Sequence, residues 1–303
     1  VTLFYYGKTD LMTYWAMVET NSVLNRIQAY QSVLDNSNTI QPHILTWLSI
    51  VFMESGYLKE AMILLKAQEC ICREKNDLDG LQASLGNQAN ILYYWGNLEE
   101  AMALHKETER FFRQTDNLNG LQVSLGNQAI ILNQWDNPEE AMLLLKETEQ
   151  ICRKLGVLEG LSRSLGNQAK IFFKWKKYEE SMILHKEAER IFRQLGNLSG
   201  LSISFDNQAR ILEIWNQFEE AMALYKEQER ICRQLGYLDG LSRSLGSQAN
   251  ILYKWGNLKE SMALHKAAER IFRHLGNQDD LLTSLANQAL ILKHWNKIED
   301  AFA

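Results

Sequence analysis

The chain has little that would mark a secreted, membrane-bound or nucleic-acid-binding protein. It contains only four cysteines and two prolines in 303 residues. It has no apolar run long enough to cross a bilayer, and no signal-peptide pattern opens it. Its formal net charge is -5, whereas binders of nucleic acid or anionic membranes usually carry a basic excess. We therefore expect neither a membrane nor a nucleic-acid partner.

The cysteines and histidines are not spaced as metal ligands. Cys72, Cys152 and Cys232 share one column of an internal repeat, and the other occupants of that column are phenylalanines. A position that alternates between Cys and Phe is typical of a buried apolar slot. With no disulfide framework or zinc spacing, we expect reduced thiols, a cytoplasmic location, and neither metal nor cofactor.

No catalytic pattern occurs either. His105, His185 and His265 recur at every second repeat, too far apart to share one metal, and their column also holds Leu145 and Tyr225. This pattern indicates a core column. The chain has neither a phosphate-binding loop nor a Gly-x-Ser-x-Gly motif. We expect a protein that is not an enzyme.

What the chain does have is a repeat with a period of 40 residues, best seen from Leu81 to Asn117. A fixed period of this size indicates a stack of similar supersecondary units. The full repeats are 81–120, 121–160, 161–200, 201–240 and 241–280, followed by a truncated repeat at 281–303. Residues 41–80 form a degenerate repeat, so the predicted solenoid spans 41–303. Residues 1–40 are expected to be a helical cap or a junction to an upstream domain.

Each repeat predicts two helices. Leu81, Leu85, Ala89 and Leu92 form one apolar helical face, and Gly96-Asn97 then breaks the helix. Asn97 with Glu100 predicts a capping box for the second helix. The fold class predicted is all-α, an α-solenoid of antiparallel helix pairs.

Three further columns have predicted structural roles. The tryptophans of the Trp95 column should seal the junction between the two helices. Pairs such as Glu109–Arg113 should be solvated i,i+4 ion pairs. Gln88 should need a hydrogen-bond partner, either Ser84 or a group of the neighbouring repeat.

The segment Gly96–Ala101, with the sequence GNLEEA at the inter-helix turn, resembles the tetratricopeptide repeat, as does the ending at Arg193–Asn197. The 40-residue period is similar to that of the longer variety in kinesin-light-chain-like and MalT-like signal-transduction proteins. The resemblance covers roughly residues 56–303. It implies a right-handed superhelix whose first helices line a concave groove that takes peptides, and in which an Asn matching Asn87 can hold a peptide backbone.

A comparison of the repeats separates constant positions from variable ones. We name each column, meaning positions 40 residues apart, by its number in repeat 81–120. Columns 84, 88, 89 and 91 are identical in all six first helices, whereas columns 83, 90, 93 and 94 vary. We call columns 83, 90, 93 and 94, together with column 87, the groove columns. The residues predicted to set specificity are Tyr93, Tyr94, Asn133, Gln134, Arg163, Lys170, Phe173, Lys174, Arg210, Arg243, Tyr253, Lys254 and Lys293.

Column 87 holds an amide in all but one repeat. These residues are Asn87, Asn127, Asn167, Asn207 and Asn287. An amide offers a donor and an acceptor, so it could pair with the backbone of an extended peptide. The alternative is hydrogen bonding within or between first helices. For columns 83, 90, 93 and 94 the alternative is drift on a solvent-exposed face.

The variable residues also predict what is bound. Those of the later repeats are mostly basic, which favours a protein or peptide partner with an acidic stretch. The aromatic and amide residues of the first two full repeats favour an apolar or aromatic anchor. Single-stranded nucleic acid is a minor alternative. Self-association through the ends of the solenoid is a further expectation.

Three functions follow for the whole chain. The leading hypothesis is a non-catalytic scaffold that captures a partner segment in its concave groove. A second is the ligand-sensing arm of a larger regulatory ATPase of the STAND class, or of an effector. This fits our expectation that the chain is a fragment of a longer protein. A third is a passive structural or oligomerisation rod.

Overall fold

The computed structural model describes residues 42–302, with side chains from 44 to 296. Thirteen helices and no strand occur in this part of the chain. They are α1 (Pro42–Glu54), α2 (Leu58–Lys75), α3 (Leu78–Tyr94), α4 (Leu98–Gln114), α5 (Leu118–Gln134), α6 (Pro138–Leu155), α7 (Leu158–Lys174), α8 (Tyr178–Leu195), α9 (Leu198–Ile214), α10 (Phe218–Leu235), α11 (Leu238–Lys254), α12 (Leu258–Leu275) and α13 (Gln278–Phe302). The all-α prediction is confirmed. The cap predicted at 1–40 lies outside the described residues.

The chain divides after Ile151 into two compact halves. In the N-terminal half, α1, α2, α3 and α4 each pack against the next helix along the chain, and α1 also contacts α3. In the C-terminal half, α7 packs on α8, and the pairing continues in order to α13. Odd-numbered helices are the first helices of the repeats and even-numbered ones the second. The predicted solenoid of helix pairs is confirmed.

The first helices begin earlier than the apolar pattern alone indicates. Helix α3 starts at Leu78 rather than at Leu81, because the carboxylate of Asp77 accepts a hydrogen bond from Gly80 N at 3.0 Å. Asn117 and Asn197 make the same cap at the starts of α5 and α9. A side chain that satisfies one unpaired N–H is the usual way to start a helix.

The capping box predicted at Asn97 is wrong, because Asn97 makes no side-chain cap bond at the start of α4. A related pair of bonds forms at the start of α6, where Asn137 accepts from Glu140 N at 3.4 Å and its side-chain amide donates to the Glu140 carboxylate at 2.8 Å. Asn277 and Asp280 make the same two bonds at the start of α13. Capping by these residues is therefore a property of individual repeats, not of the repeat pattern.

A set of buried side-chain hydrogen bonds joins successive repeats. Ser84 Oγ donates to the backbone carbonyl of Leu65 at 2.6 Å, and Gln88 Nε2 donates to the carboxylate of Glu69 at 2.8 Å. Gln88 also contacts Ser84 Oγ at 3.2 Å. Both partners predicted for Gln88 are thus confirmed. Equivalent Gln–Glu bonds are made by Gln128, Gln208, Gln248 and Gln288.

The Glu–Arg pairs are more than solvated surface pairs, which corrects the prediction. Glu109 is shared by two partners on opposite sides, Arg113 on its own helix at 2.8 Å and Gln128 on the next at 2.7 Å. Its side chain is only 21% exposed. The carboxylate is held below the surface because the buried Gln needs an acceptor.

The tryptophan column is less buried than predicted. Trp95, Trp135 and Trp255 are 41–45% exposed, since each follows the last residue of its helix and lies at the inter-helix turn. The histidine column does belong to the core: His105 is 3% and His265 1% exposed. The three cysteines of the repeat column are also buried, as predicted.

Candidate functional site

Within each half, the first helices of neighbouring repeats lie side by side and form a common surface. In the N-terminal half, Asn127 Nδ2 on α5 donates to Asn90 Oδ1 on α3 at 3.3 Å. Further along the same helices, Gln134 Nε2 donates to Tyr93 Oη at 2.6 Å. In the C-terminal half, Asn287 on α13 donates to Asn250 on α11 at 3.1 Å. The groove columns of adjacent repeats are therefore in direct contact.

A cavity of about 530 Å³ opens on this surface in the N-terminal half. Helices α1, α3, α4 and α5 line it. The contributions of the groove columns are Ala83, Asn87, Asn90, Val123 and Asn127. Asp79 is the only Asp, Glu, Lys or Arg among the lining residues. His105 also lines the cavity. We call this space the N-terminal cavity.

A smaller cavity of about 250 Å³ occupies the equivalent surface in the C-terminal half. The contributions of the groove columns are Arg210, Arg243, Ser247, Asn250, Thr283 and Asn287. Asp206, Asp280 and His265 also line it. We call it the C-terminal cavity, and unlike the N-terminal cavity it has several charged side chains.

Columns 93 and 94 contribute to neither cavity among the described residues. They lie at the C-terminal ends of the first helices. Tyr93 is half-buried, and its ring meets that of Tyr94 edge-on at 6.0 Å. Lys254 Nζ lies 4.3 Å from the ring centroid of Phe218. These residues form a rim beside the cavities, and their predicted role in specificity remains a prediction.

Three amides of column 87 make the hydrogen bonds within or between first helices that were the alternative to peptide binding. Asn127 and Asn287 donate to column 90 of the preceding repeat, and Asn207 donates to the Ile203 carbonyl of its own helix at 3.0 Å. Each of these three keeps its Oδ1 and one N–H for a further partner. Peptide-backbone binding by this column remains a prediction.

The predicted basic residues do not form a single cluster of unpaired charges. Arg243 is ion-paired with Asp239 on its own helix. The guanidinium of Arg210 lies 5.0 Å from the ring centroid of Phe173, on the preceding first helix. Of the predicted basic residues, only Arg210 and Arg243 line the C-terminal cavity.

Lys170 affects a buried neighbour. Burial lowers the pKa of this lysine. Burial, followed by the charge of Lys170, lowers the pKa of His185 to about 4. His185 is therefore neutral at physiological pH.

One residue of the C-terminal cavity escaped the sequence analysis. Asp206 replaces the glycine that four other repeats carry at this position. A carboxylate in the Gly86 column is visible in the sequence and could have identified this residue. Burial raises the pKa of Asp206, whereas Arg243 and Arg210 lower it. Its carboxylate accepts a hydrogen bond from Gln228 Nε2 at 3.2 Å. The aspartate thus places a carboxyl group beside two predicted cationic contacts.

The histidines of the two cavities are neutral groups at their inner walls. Burial lowers the pKa of both His105 and His265 to about 4. Both ring nitrogens of His265 are buried without a hydrogen-bond partner in the protein. No group of His, Cys, Asp or Glu among the described residues could hold a metal ion, and no described helix is apolar and long enough to span a membrane.

Comparison with known proteins identifies the fold. No protein-family model and no curated protein matches the chain. A solved structure of a STAND protein with a tetratricopeptide repeat sensor, from Pyrococcus horikoshii, is similar over 99% of this chain and 49% of its own, with 15% identity and a TM-score of 0.68. This chain thus spans about half the length of that protein.

Two other solved structures extend the comparison. A Rap protein complexed with Competence and Sporulation Factor has 12% identity and a TM-score of 0.62, covering 96% of this chain and 89% of its own. A protein described as a kinesin light chain, from Podospora anserina, has nearly identical tetratricopeptide-like repeats. It has 18% identity and a TM-score of 0.52, and covers 67% of this chain and 98% of its own. The fold is that of tetratricopeptide-like repeat proteins.

Proposed function

We propose that this solenoid is a non-catalytic scaffold that binds a segment of a protein or peptide on the surface formed by its first helices. One observation carries the proposal. In each half, columns 83, 87 and 90 line a cavity, and columns 83 and 90 are among those that vary between repeats. The constant Gln88 column instead bonds inside the scaffold. Chemical variety around cavities on an otherwise constant scaffold suits selective recognition.

The chemistry of the surface favours a partner of mixed character. Val123 and Ile130, both well exposed on α5, offer apolar contacts in the N-terminal half. Arg210 and Arg243 offer guanidinium groups in the C-terminal half, and guanidinium pairs well with carboxylate. We therefore propose a segment with an acidic stretch for the later repeats and an apolar or aromatic anchor for the first full repeats.

The similar structures agree with this proposal. One of them is a Rap protein in complex with Competence and Sporulation Factor, so a solenoid of this kind holds a partner in that case. Our proposal for this chain rests on its own cavities. A cytoplasmic location and self-association through the ends of the solenoid belong to the same proposal, and the buried thiols of the cysteine column suit a reducing compartment.

A peptide-display selection tests the proposal. The full chain is used as bait, beside a variant that combines Arg163→Glu, Lys170→Glu and Arg210→Glu. The control combines Lys186→Glu, Arg190→Glu and Lys226→Glu, which make the same change in charge at exposed positions on the second helices α8 and α10. We expect the parent and the control to enrich acidic peptides with an apolar anchor, and the groove variant to lose them by at least about tenfold in affinity.

Two outcomes would contradict the proposal. Selection of the same peptides by the groove variant would show that binding occurs elsewhere. Failure of the parent to select any peptide would favour the passive rod.

We propose the sensor arm of a larger regulatory ATPase as a second function. The observation that favours it is the similarity over 99% of this chain to a STAND protein with a tetratricopeptide repeat sensor. The sequence of the complete gene product tests this second proposal. A phosphate-binding loop of the Walker type in the same polypeptide supports a sensor arm, and a gene product without a nucleotide-binding domain contradicts it.

A further inference from the structure

His265 is buried at the C-terminal cavity, and its ring makes no hydrogen bond. The side chain is 1% exposed and belongs to the lining of the cavity. Neither ring nitrogen has a partner in the protein, although the backbone carbonyl of His265 accepts from Ser284 Oγ at 3.2 Å. A buried polar group without a partner is costly, and such groups are rare in native proteins. This imidazole therefore calls for an explanation.

Packing alone does not explain the histidine. Leu145 fills the same column in an earlier repeat and is also 1% exposed, so an apolar residue fits there. Tyr225 occupies the column in the repeat before His265, and its hydroxyl donates to Glu213 at 2.6 Å. In the repeat of His265, Tyr253 stands at the position of Glu213. The tyrosine thus has a partner within the protein, whereas the histidine has none.

A second lining residue of this cavity also has unused donors. Arg210 makes no hydrogen bond among the described residues, and its guanidinium lies against the ring of Phe173. The other three charged residues of the lining are each hydrogen-bonded to a neighbour, in the pairs Asp206–Gln228, Arg243–Asp239 and Asp280–Asn277. The unused hydrogen bonds of Arg210 are all N–H donors. The cavity therefore lacks an acceptor.

We propose that the C-terminal cavity contains a subsite for the carboxylate of one acidic side chain of the bound segment, contacted by Arg210 and His265. This inference rests on the proposed function and specifies where one acidic residue binds. A neutral imidazole carries one N–H, which donates to a carboxylate oxygen, while guanidinium binds carboxylate by charge-assisted hydrogen bonds. A space of about 250 Å³ is below the usual 300–1,000 Å³ of small-molecule sites and suits a single side chain.

The charges of the lining leave two kinds of occupant to compare. Two arginines and two aspartates nearly cancel, so the unused N–H donors, more than the net charge, favour a carboxylate. A cationic side chain offers these donors no acceptor. A neutral amide side chain offers one acceptor oxygen, whereas a carboxylate offers two and forms the stronger bond to guanidinium. The amide is therefore the occupant that the experiment must separate from the carboxylate.

The path to the imidazole is closed by side chains that can move. Both ring nitrogens are buried, so a ligand has to displace part of the lining to reach them. Thr283 on α13 is exposed and Asn287 is half-buried, and both line the cavity. Exposed side chains change rotamer within picoseconds to nanoseconds, so access needs no change of fold.

Peptide binding by the full chain tests the subsite, with the acidic peptide that the parent enriches in the display selection. In matched peptides each acidic residue is replaced in turn by its amide. We expect His265→Leu to weaken binding of the original peptide by about tenfold, as for the loss of a hydrogen bond to a charged group. One of the amide peptides should bind the parent and this variant equally. His265→Gln, which keeps an N–H donor, should bind the original peptide more tightly than His265→Leu.

His185→Leu is the matched control. His185 occupies the same column, is 2% exposed and lines neither cavity, so this variant should bind the peptide as the parent does. Parent-like binding by His265→Leu, or an equal loss in both leucine variants, overturns the inference and leaves the proposed function standing. A loss in His265→Leu that every amide peptide shows equally also overturns it, because the imidazole would then contact something other than a carboxylate. A parent that selects no peptide overturns both.

Discussion

The N-terminal and C-terminal cavities are formed by equivalent positions of different repeats but differ in size and charge. The first is about 530 Å³, and Asp79 is the only Asp, Glu, Lys or Arg in its lining. The second is about 250 Å³, with two arginines and two aspartates. Their supporting bonds are the same: Ser124 donates to the His105 carbonyl in one half, and Ser244 to the Tyr225 carbonyl in the other. A constant scaffold thus carries surfaces of different chemistry.

The difference teaches how few positions set that chemistry. Arginines in columns 83 and 90 supply the positive charge of the C-terminal cavity, and Asp206 in place of glycine supplies negative charge. A change at these positions alters what the surface can bind, while the serine and glutamine bonds beneath it stay in place.

The largest effect on stability should come from the buried histidines, His105 in the N-terminal cavity and His265 in the C-terminal cavity. Their pKa falls from 6.5 to about 4 in the folded protein, so they remain neutral there while the unfolded chain takes up protons. Their stabilising contribution is complete above pH 6.5 and is lost as the pH falls towards 4. Each histidine should cost up to about 3 kcal/mol of unfolding free energy by pH 4. Denaturant unfolding between pH 7 and pH 4 measures the loss.

His105→Leu and His265→Leu separate the two cavities in that experiment. Leu145 already occupies the same column and is buried, so leucine should fit. Each variant should lose less stability in acid than the parent. His265→Leu should also be the more stable of the two at pH 7, since it removes two ring nitrogens without partners. Acid sensitivity equal to that of the parent in both variants would contradict this assignment.

The next effect tests whether the scaffold is truly the same in both halves. Gln128 donates to Glu109 at 2.7 Å, and Gln248 donates to Glu229 at the same distance. Replacing either glutamine by alanine removes a buried hydrogen bond to a carboxylate and leaves space behind. We expect both variants to lose about 2 kcal/mol in chemical denaturation. A difference of more than about 1 kcal/mol would show that the two halves are supported differently.

The sequence predicted the fold because its period and apolar spacing recur in every repeat. It also predicted a partner for Gln88, since a buried amide must be satisfied. It did not predict that Glu109 would be the main acceptor, because the i,i+4 pattern with Arg113 is complete within one helix. The half-exposed Trp95 column was missed for a related reason. Spacing identifies the side of the helix on which a ring lies, but not how far the neighbouring repeat covers its end.

The sequence identified columns of the candidate surface but not the contacts within it. Variation between repeats identified columns 83 and 90, and the recurring amide identified column 87; all three lie around the cavities, whereas columns 93 and 94, which also vary, line neither. The pairing of Arg243 with Asp239 and the position of Arg210 beside Phe173 depend on side-chain geometry across and along helices. Asp206 could have been found, because a carboxylate in a column of glycines is visible in the sequence.

A smaller effect should follow from Asp206. Burial raises the pKa of its carboxyl in the folded protein, so its contribution to stability decreases as the pH rises through that pKa. Asp206→Asn keeps an acceptor for Gln228 and removes the buried charge. We expect this variant to be more stable than the parent at pH 7 by less than about 1 kcal/mol, and equal to it in acid.

Asp206→Gly is the matched control, because it places at position 206 the glycine that four other repeats carry there. This variant should be less stable than Asp206→Asn, since it weakens α9 and leaves Gln228 without its acceptor. Thermal unfolding of both proteins at pH 7 measures the order. If Asp206→Asn is less stable than the parent at pH 7, Arg210 and Arg243 compensate the carboxylate more than its burial costs.

The smallest effect on stability should come from ion pairs on the second helices, which differ between the two halves. Arg113 pairs with Glu109 and, on the next second helix, with Glu147 at 2.8 Å. Arg233 pairs with Glu229, but the position equivalent to Glu147 is Ala267. Because the two arginine side chains are 44% and 58% exposed, Arg113→Ala should cost less than about 1 kcal/mol and Arg233→Ala less still. The difference should vanish in about 1 M salt, which screens exposed pairs. A difference that survives salt would mean that Arg113 acts through packing of its stem rather than through charge.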